Sequence, residues 1–474
     1  MQAEQFQQYQ HYFFIGVGGA GMSAIAQYLS GIGKKVSGSD RLFQFPENDA
    51  LKKQLQDEGI DCFLQDTSGI HEGLDAIVIS TAIEADNPEL LKAKSYHIPV
   101  ILRADLLAAI CLSKRTIAVA GTSGKSTTTA MLFHILHQNG LGASLISGAG
   151  LVSLQQAGKI GNAYVGDGDW LVIEADESDG TLVKYEPEIG LLLSIDKDHK
   201  ELTELHEIFT TFKSHVKRNL VVNMDHPLAS AYAEKDGVNY GKGTFFEGKH
   251  FQQQGFQIQF EVQGTVCKIP TIGQHNMENA LACMAVASIL GVSVEDCCKS
   301  LHDYAGIYRR HQRLGEFASI QVIDDYAHNP AKIAASIKAC QPAGKRLIAW
   351  FQPHGYGPTR FIRKELVEEI SNTLREVDQI WMSEIYYAGG TAVKDISAAD
   401  LIEDLKQRGV NAGFVADRDE LFDNIIPQLK AGDVLLLMGA RDPSLEKFGK
   451  NIAQRIKDFV PQNHEPNHLK NITE

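Results

Sequence analysis

Thr116-Ile-Ala-Val-Ala120-Gly121-Thr122-Ser123-Gly124-Lys125-Ser126-Thr127 is the stretch whose reading decides the fold. An apolar run of strand length passes into glycines, a lysine and hydroxyls. A helical pattern follows, with Met131, Leu132, Ile135 and Leu136 along one side. In such a loop, backbone N–H groups wrap a β-phosphate, Lys125 reaches the β- and γ-phosphates, and the Ser126 hydroxyl meets Mg2+. The strict G-x-x-x-x-G-K-[ST] pattern fails, because Val119 stands at its first glycine; the tighter G-T-x-G-K-[ST]-T form is met. Strand, phosphate loop and helix in that order predict an α/β fold on a parallel sheet.

The same rhythm starts two further times. Upstream, Tyr12-Phe-Phe-Ile-Gly16 runs into Gly18, Gly19, Gly21, Met22 and Ser23, and Asp40 ends the next strand-like run. Glycines there let the backbone approach a diphosphate at a helix N-terminus, and an acidic group about 20 residues on can meet a ribose hydroxyl. The residues alone leave NAD and a UDP-sugar both open. Further apolar runs are 76–80 and 99–102, then 171–174 and 189–194 behind the phosphate loop, and 320–324, 346–350 and 433–438 in a third segment. Residues 239–267 alternate apolar and polar types between glycines and predict a small antiparallel patch. Boundaries fall near 113 and 313, giving segments 1–113, 114–312 and 313–460; the polar stretch 461–474 reads as a disordered tail.

Two acidic motifs sit at strand ends beside the loop. Glu174-Ala-Asp176-Glu177-Ser178-Asp179 follows one apolar run and Asp196-Lys-Asp198-His199 follows the next. Ligands of open parallel sheets bind at that edge. A carboxylate and an imidazole there can hold a second metal ion during phosphoryl transfer.

Composition excludes several classes. The net charge of −14 argues against a nucleic-acid binder. No apolar run approaches the ~20 residues that span a bilayer, and the Gln-rich start lacks a signal pattern, so a cytoplasmic protein is expected. Seven cysteines without a C-x-x-C spacing argue against a disulfide framework or structural zinc.

Over about residues 10–455 the chain resembles the Mur ligases, in particular their alanine-adding branch. The motifs that carry the resemblance are G-V-G-G-A-G-M-S (16–23), A-I-E-A-D-N-P-E (82–89), I-P-V-I-L-R-A (98–104), G-T-S-G-K-S-T-T-T (121–129) and E-A-D-E-S-D (174–179). They continue in order through D-K-D-H (196–199), G-Q-H-N-M-E-N-A (273–280), R-R-H-Q-R-L-G-E (309–316), D-D-Y-A-H-N-P (324–330) and Q-P-H (352–354). The resemblance implies three α/β domains: a Rossmann-like UDP-sugar domain, a central ATPase with a parallel and a small antiparallel sheet, and a Rossmann-like C-terminal domain for the amino acid and nucleotide. It implies ATP and Mg2+ as cofactors, UDP-N-acetylmuramate and an amino acid as substrates, and a monomer or homodimer that engages neither nucleic acid nor membrane.

By the same resemblance, Ser126, Glu174 and His199 are metal ligands. Gly121, Thr122, Ser123, Gly124, Lys125, Thr127, His275, Asn279, Arg310, Asp325 and Tyr326 contact ATP. Gly16, Gly18, Gly19, Gly21, Met22, Ser23, Asp40, Arg103 and Arg360 face substrate. Lys125, His199, Arg310, His328 and His354 take part in catalysis, with His199 or His354 as candidate bases.

The chain also departs from its branch. Ser123 and Ser126 replace a His and a Thr in the phosphate loop. Gly355 and Pro358 stand where two arginines are usual after Gln352-Pro-His354, and Arg441 and His311 where Gly and Phe are usual. Either Arg360, Arg363 or Lys364 takes over an anionic contact, or the acceptor is not alanine. A ligase recycling murein peptides, or a paralogue with another acceptor, is the alternative within the class. An NAD-dependent dehydrogenase explains only the first glycine loop, and a catalytically dead regulator leaves Lys125, Ser126, Glu174 and His199 without purpose.

Overall fold

The computed structural model describes residues 3–178, 180–196, 200–387, 389 and 393–462. They form two compact units, one of residues 1–252, 259–270 and 275–308, the other of residues 253–258, 271–274 and 309–474.

The first unit carries two parallel sheets. Strands β1 (His11–Ile15), β2 (Lys35–Asp40), β3 (Ile60–Leu64), β4 (Ala76–Ile79) and β5 (Val100–Leu102) lie in the order β3-β2-β1-β4-β5. The central β1 is fully covered from Tyr12 to Ile15, which is why its sequence is an unbroken apolar run rather than an alternating one. Next come β6 (Arg115–Ala120), β7 (Ser144–Ile146), β8 (Ala163–Tyr164), β9 (Trp170–Glu174), β10 (Ile189–Leu192) and β11 (Asn219–Val222). Their order is β11-β10-β6-β9-β7-β8, parallel except for the edge strand β8. One apolar core is shared by both sheets, from Tyr12 and Tyr28 to Ile173 and Phe212. Polar contacts reinforce it: Gln27 Nε2 donates to Asn162 Oδ1 at 2.8 Å, and Asn162 Nδ2 donates to the Ala20 carbonyl at 2.8 Å and to Ser23 Oγ at 3.0 Å.

A third sheet consists of β12 (Lys249–Gln253), β13 (Ile258–Val262) and β14 (Thr265–Ile269). It starts ten residues later than the sequence pattern suggested. Tyr240 makes only isolated bridges with Asn223 and Phe246, where Gly241 and Gly243 turn the chain through positive φ.

The second unit is built on β15 (Gln312–Phe317), β16 (Ile320–Asp325), β17 (Arg346–Gln352), β18 (Gln379–Ser383), β19 (Ala412–Val415) and β20 (Asp433–Gly439), in the order β15-β16-β20-β17-β18-β19. All neighbours are parallel except β15 with β16. Helices cover both faces, with Ile333, Leu366 and Leu401 in one apolar cluster and Phe422, Phe448 and Ile456 in the other. The register pairs Asp325 with Met438 and Gln352 with Gly439. The segments after β16, β17 and β20 therefore leave the sheet at one edge. The last helix, Leu445–Gln462, runs two residues past the expected end of order at 460, and residues 463–474 of the expected tail lie outside the described residues.

One buried ion pair fastens this edge. Arg309 Nε and Nη2 donate to Asp324 Oδ2 and Oδ1 at 2.9 and 3.2 Å, and Nη2 also reaches the Gly439 carbonyl at 2.8 Å. Burial pushes the Asp324 carboxyl up to about 6, against the pull of Arg309. Removing one member of such a pair leaves an unpaired charge in the core. Arg309→Met should cost about 3–5 kcal/mol in urea unfolding, and Arg309→Met with Asp324→Leu should recover most of it.

Candidate active site

Helix Lys125–Gln138 starts at Gly124, which has φ +83° and offers no side-chain cap. The first-turn N–H groups of a helix have no partner within it. Together with the macrodipole they make this end an anion site. Gly121 stands at φ +135°, and a Cβ there would lie 2.9 Å from the Ser194 nitrogen. A Cβ on Gly124 would lie 2.9 Å from Asn279 Oδ1. Close backbone approach thus requires glycine at both positions.

Lys125 is the centre of charge. Its Nζ donates to the Gly121 carbonyl at 2.8 Å and to Glu177 Oε2 at 2.6 Å, with Asp176 Oδ1 at 3.5 Å. Burial works against the charged ammonium, but Glu177 and Asp176 outweigh it, and the lysine sits above its ordinary pKa. Burial raises Glu177 above its ordinary value in spite of Lys125. At neutral pH the short contact and the two carboxylates keep the pair ionised. β6 and β9 pair Val119 with Glu174, which sets Glu174 beside the loop. Ser126 Oγ donates to Glu174 Oε1 at 2.8 Å and the Gly148 N–H donates to Oε2 at 2.9 Å. A hydroxyl and a carboxylate in contact at the mouth of a phosphate loop are the hard oxygen donors that Mg2+ takes. The third expected ligand, His199, lies outside the described residues, as does Asp179. Among the described residues no group of three or more His, Cys, Asp or Glu is placed to hold a metal.

Thr122 shares hydrogen bonds with Ser194 Oγ at 3.1 Å and Asp196 Oδ2 at 3.2 Å, and the Asp196 N–H donates to Thr122 Oγ1 at 2.9 Å. His226 Nε2 meets Asp196 Oδ1 at 3.2 Å. Sequence reasoning missed His226, although Asn223-Met-Asp-His226 follows a strand as the two acidic motifs do. Asn279 accepts from Thr128 Oγ1 at 3.1 Å and donates to Asn276 at 3.1 Å; it packs on the loop, while Ser123 and His275 are exposed. Thr127 is half-buried on the first helical turn.

The first glycine loop is braced from inside. Asp40 is buried, and its carboxylate accepts from the Gly18 N–H at 2.8 Å and the Leu42 N–H at 2.9 Å. The expected ribose ligand thus supports the loop. Gly16 holds φ +84° and Gly19 begins the helix Ala20–Gly31 without a side-chain cap. Met22 and Ser23 are buried on that helix, the Ser23 hydroxyl donating to the Ala20 carbonyl at 3.0 Å. Gly21 leaves room for Arg103, whose Nη1 lies 2.9 Å from the place of a Cβ.

In the second unit, Asp325 accepts from the His311 N–H at 2.8 Å and the Ala327 N–H at 2.9 Å. It shapes the turn that carries Tyr326 and His328. Arg310 is exposed, its guanidinium 5.4 Å from the centre of the Tyr326 ring. The His328 and His354 rings are 5.8 Å apart. His328 Nδ1 donates to the Tyr326 carbonyl at 2.9 Å, which leaves the lone pair on Nε2. Burial lowers His354 to about 4, helped by His328 and Arg441. Burial, with Lys332, Arg310 and Arg441, also lowers His328 against that hydrogen bond. Both imidazoles are neutral at pH 7. Arg360 pairs with Asp395 at 2.8 Å and Arg363 with Asp404 at 2.6 Å, so the arginines expected to take over a substrate contact are engaged.

The phosphate loop, the uncapped helix and the acidic strand ends define an α/β nucleotide-binding protein. Family models match in order: the Mur ligase family catalytic domain at residues 11–115, the Mur ligase middle domain at 119–287, and the Mur ligase glutamate ligase domain at 309–441. The UDP-N-acetylmuramate–L-alanine ligase of Geotalea daltonii is 34% identical over 463 residues, covering 94% of this chain and 98% of that protein. The crystal structure of UDP-N-acetylmuramate–alanine ligase from Thermotoga maritima has a TM-score of 0.77 at 24% identity, covering 95% of this chain and 98% of that one. A murein peptide ligase from Psychrobacter arcticus shares the fold, with a TM-score of 0.61 at 21% identity over 95% of this chain and 99% of that one. The chain belongs to the Mur ligase family.

Two outcomes follow. Lys125→Met should weaken ADP binding by about 1.5–3 kcal/mol in titration calorimetry, the worth of a hydrogen bond to a charged group. For His354, the folded value lies below the unfolded one of about 6.5, so its contribution to stability is present above pH 6.5 and is lost as pH falls towards 4. Thermal melts of a His354→Gln variant should be flatter than those of the unaltered protein across that window.

Proposed function

We propose that this chain is an ATP-dependent ligase of peptidoglycan precursor synthesis that joins L-alanine to the lactyl carboxylate of UDP-N-acetylmuramate. The observation that carries this reading is the relationship at 34% identity over 94% of the chain to an enzyme of that name. The Lys125 loop with Ser126 and Glu174 supplies the matching chemistry. In this reading, residues 1–113 take the UDP-sugar through Gly16, Gly18, Gly19, Gly21, Met22, Ser23 and Arg103. Residues 114–312 take ATP, and residues 313–460 take the amino acid.

A carboxylate oxygen of the sugar attacks the γ-phosphorus, and the bond to ADP breaks to leave an acyl phosphate. The amine of the amino acid then attacks the acyl carbon and loses a proton, and phosphate departs to give the amide. Lys125 and Arg310 lower the cost of the charge that collects on the transferring phosphoryl group. Mg2+ fits Ser126 and Glu174, with His199 as the expected third ligand, and supplies further charge neutralisation when bound. His275, Asn279 and Tyr326 are assigned to the nucleotide, and His328 and His354 to the acceptor side. Asp325 acts through the turn it braces. Among the described residues no helix is long and apolar enough to cross a membrane. We place the enzyme in the cytoplasm, where its substrates are made, as a monomer or homodimer.

The engaged state of Arg360 and Arg363 makes the acceptor the point to test. Phosphate release should be measured with ATP, Mg2+ and UDP-N-acetylmuramate and each of L-alanine, glycine, L-serine and a tripeptide. L-alanine is expected to give the highest kcat/KM. Release driven by the tripeptide alone would assign the chain to murein peptide recycling instead.

A further inference from the structure

Most arginines of the second unit are held by a carboxylate, but among the described residues Arg310 and Arg441, whose charges both act on His328, make no ion pair; Arg310 lies against the Tyr326 ring, which leaves Arg441. Arg309 is held by Asp324, Arg346 by Asp433, Arg360 by Asp395, Arg363 by Asp404, Arg375 by Asp378 and Arg418 by Asp442. Arg441 is exposed and, among the described residues, makes no hydrogen bond or ion pair. Its backbone stands at φ 64°, a conformation that glycine adopts freely and a residue with a side chain adopts only at a cost. Strained backbone that presents an unspent charge is a feature that a ligand explains.

The neighbouring residue shows that the strain is held firmly. Asp442 is buried, and its carboxylate accepts from Arg418 Nη1 at 2.6 Å, Gln352 Nε2 at 3.0 Å and the Ser444 N–H at 2.9 Å. Three donors from three segments fix the turn after β20, and Arg441 projects from it in one place. That place adjoins the imidazoles by register: β17 pairs Gln352 with Gly439, so His354 and Arg441 each stand two residues beyond that pair at the same sheet edge, and the charge of Arg441 disfavours protonation of both His328 and His354. His354 Nδ1 is buried without a hydrogen-bond partner among the described residues. The sheet edge therefore presents an unpaired cation next to neutral hydrogen-bond acceptors.

A guanidinium takes a carboxylate through two parallel N–H bonds, and a neutral imidazole accepts an N–H from an amine. A ligand that carries a carboxylate and an amine on one carbon meets both demands. We propose that Arg441 binds the carboxylate of the incoming α-amino acid and so directs its amine towards His328 and His354. The proposal rests on the ligase reading above and names the acceptor-side residue of that site. It also accounts for the absence of arginine at 355 and 358: the cation comes from the β20 turn rather than from the start of helix Tyr356–Thr373.

The test compares an amino acid with its amide, L-alanine and L-alaninamide in the first instance. Steady-state phosphate release is followed for the unaltered protein, Arg441→Gly and Arg441→Lys. Glycine suits the left-handed backbone, so Arg441→Gly should fold at least as well as the parent, which a thermal melt checks. The expected result for Arg441→Gly is a KM for L-alanine raised about ten-fold or more, with the KM for L-alaninamide within about two-fold of the parent. Arg441→Lys should fall between. An equal rise for acid and amide, or no rise for either, overturns the proposal. Hydroxylamine, a nucleophile without a carboxylate, separates this from failure of the ligase reading. If the unaltered protein forms no hydroxamate from ATP and UDP-N-acetylmuramate, the ligase reading falls and this proposal with it. If hydroxamate forms and the L-alanine KM of Arg441→Gly is unmoved, only the assignment of Arg441 falls.

Discussion

An ammonium buried in a loop that is built to receive phosphate needs a counter-charge before any phosphate arrives. Lys125 finds it in Glu177 at 2.6 Å and Asp176 at 3.5 Å. Without them the lysine would lose its charge or leave the loop, because burial alone favours the neutral amine. The pairing fits the place of the acidic motif after β9, a strand beside β6, from which carboxylate side chains reach the lysine of the phosphate loop. In the proposed reading nucleotide binding is an exchange, in which phosphate oxygens replace Glu177 as partners of the ammonium. Ser126 and Glu174 undergo the same replacement if a cation enters between them, since their mutual hydrogen bond of 2.8 Å occupies the oxygens that a metal would use.

The edge of the second unit solves the opposite problem. In the proposed reading the groups that face the acceptor stay uncharged or unpaired, because the nearby carboxylates are spent elsewhere. Asp324, Asp325 and Asp442 all lie at the strand ends, yet each is turned inward onto Arg309, onto backbone N–H groups, or onto Arg418 and Gln352. The result is a surface of neutral imidazoles and free guanidinium groups. A deprotonated amine and an anionic carboxylate both tolerate such surroundings.

Much of this was legible in the sequence, for a physical reason. Strands buried on both faces must be apolar throughout, so β1, β6, β16, β17 and β20 announce themselves as runs, and the residues that follow them fall at the ligand edge. Lys125, Ser126 and Glu174 could be placed in that way. What sequence could not show was which of these side chains already have partners within the fold. Asp40 ends its strand at the expected spacing, but its two oxygens go to the Gly18 and Leu42 N–H groups. Arg360 and Arg363 have the right charge near the right motif, but ion pairs with Asp395 and Asp404 hold them. Such partners are distant in sequence or carry no pattern, and the same is true of His226 against Asp196.

Asn162 has a wider consequence. This single side chain, with Gln27, ties the helix behind the first glycine loop to the chain just before β8, on the sheet that carries the phosphate loop. Apolar packing continues across the same seam, where Val165 closes on Gly31. The diphosphate cradle and the triphosphate cradle are therefore parts of one frame, and their separation is fixed when the chain folds. Two large anionic ligands held by the two cradles meet at a set distance, so that alignment of donor and acceptor oxygens need not be re-established in each catalytic cycle.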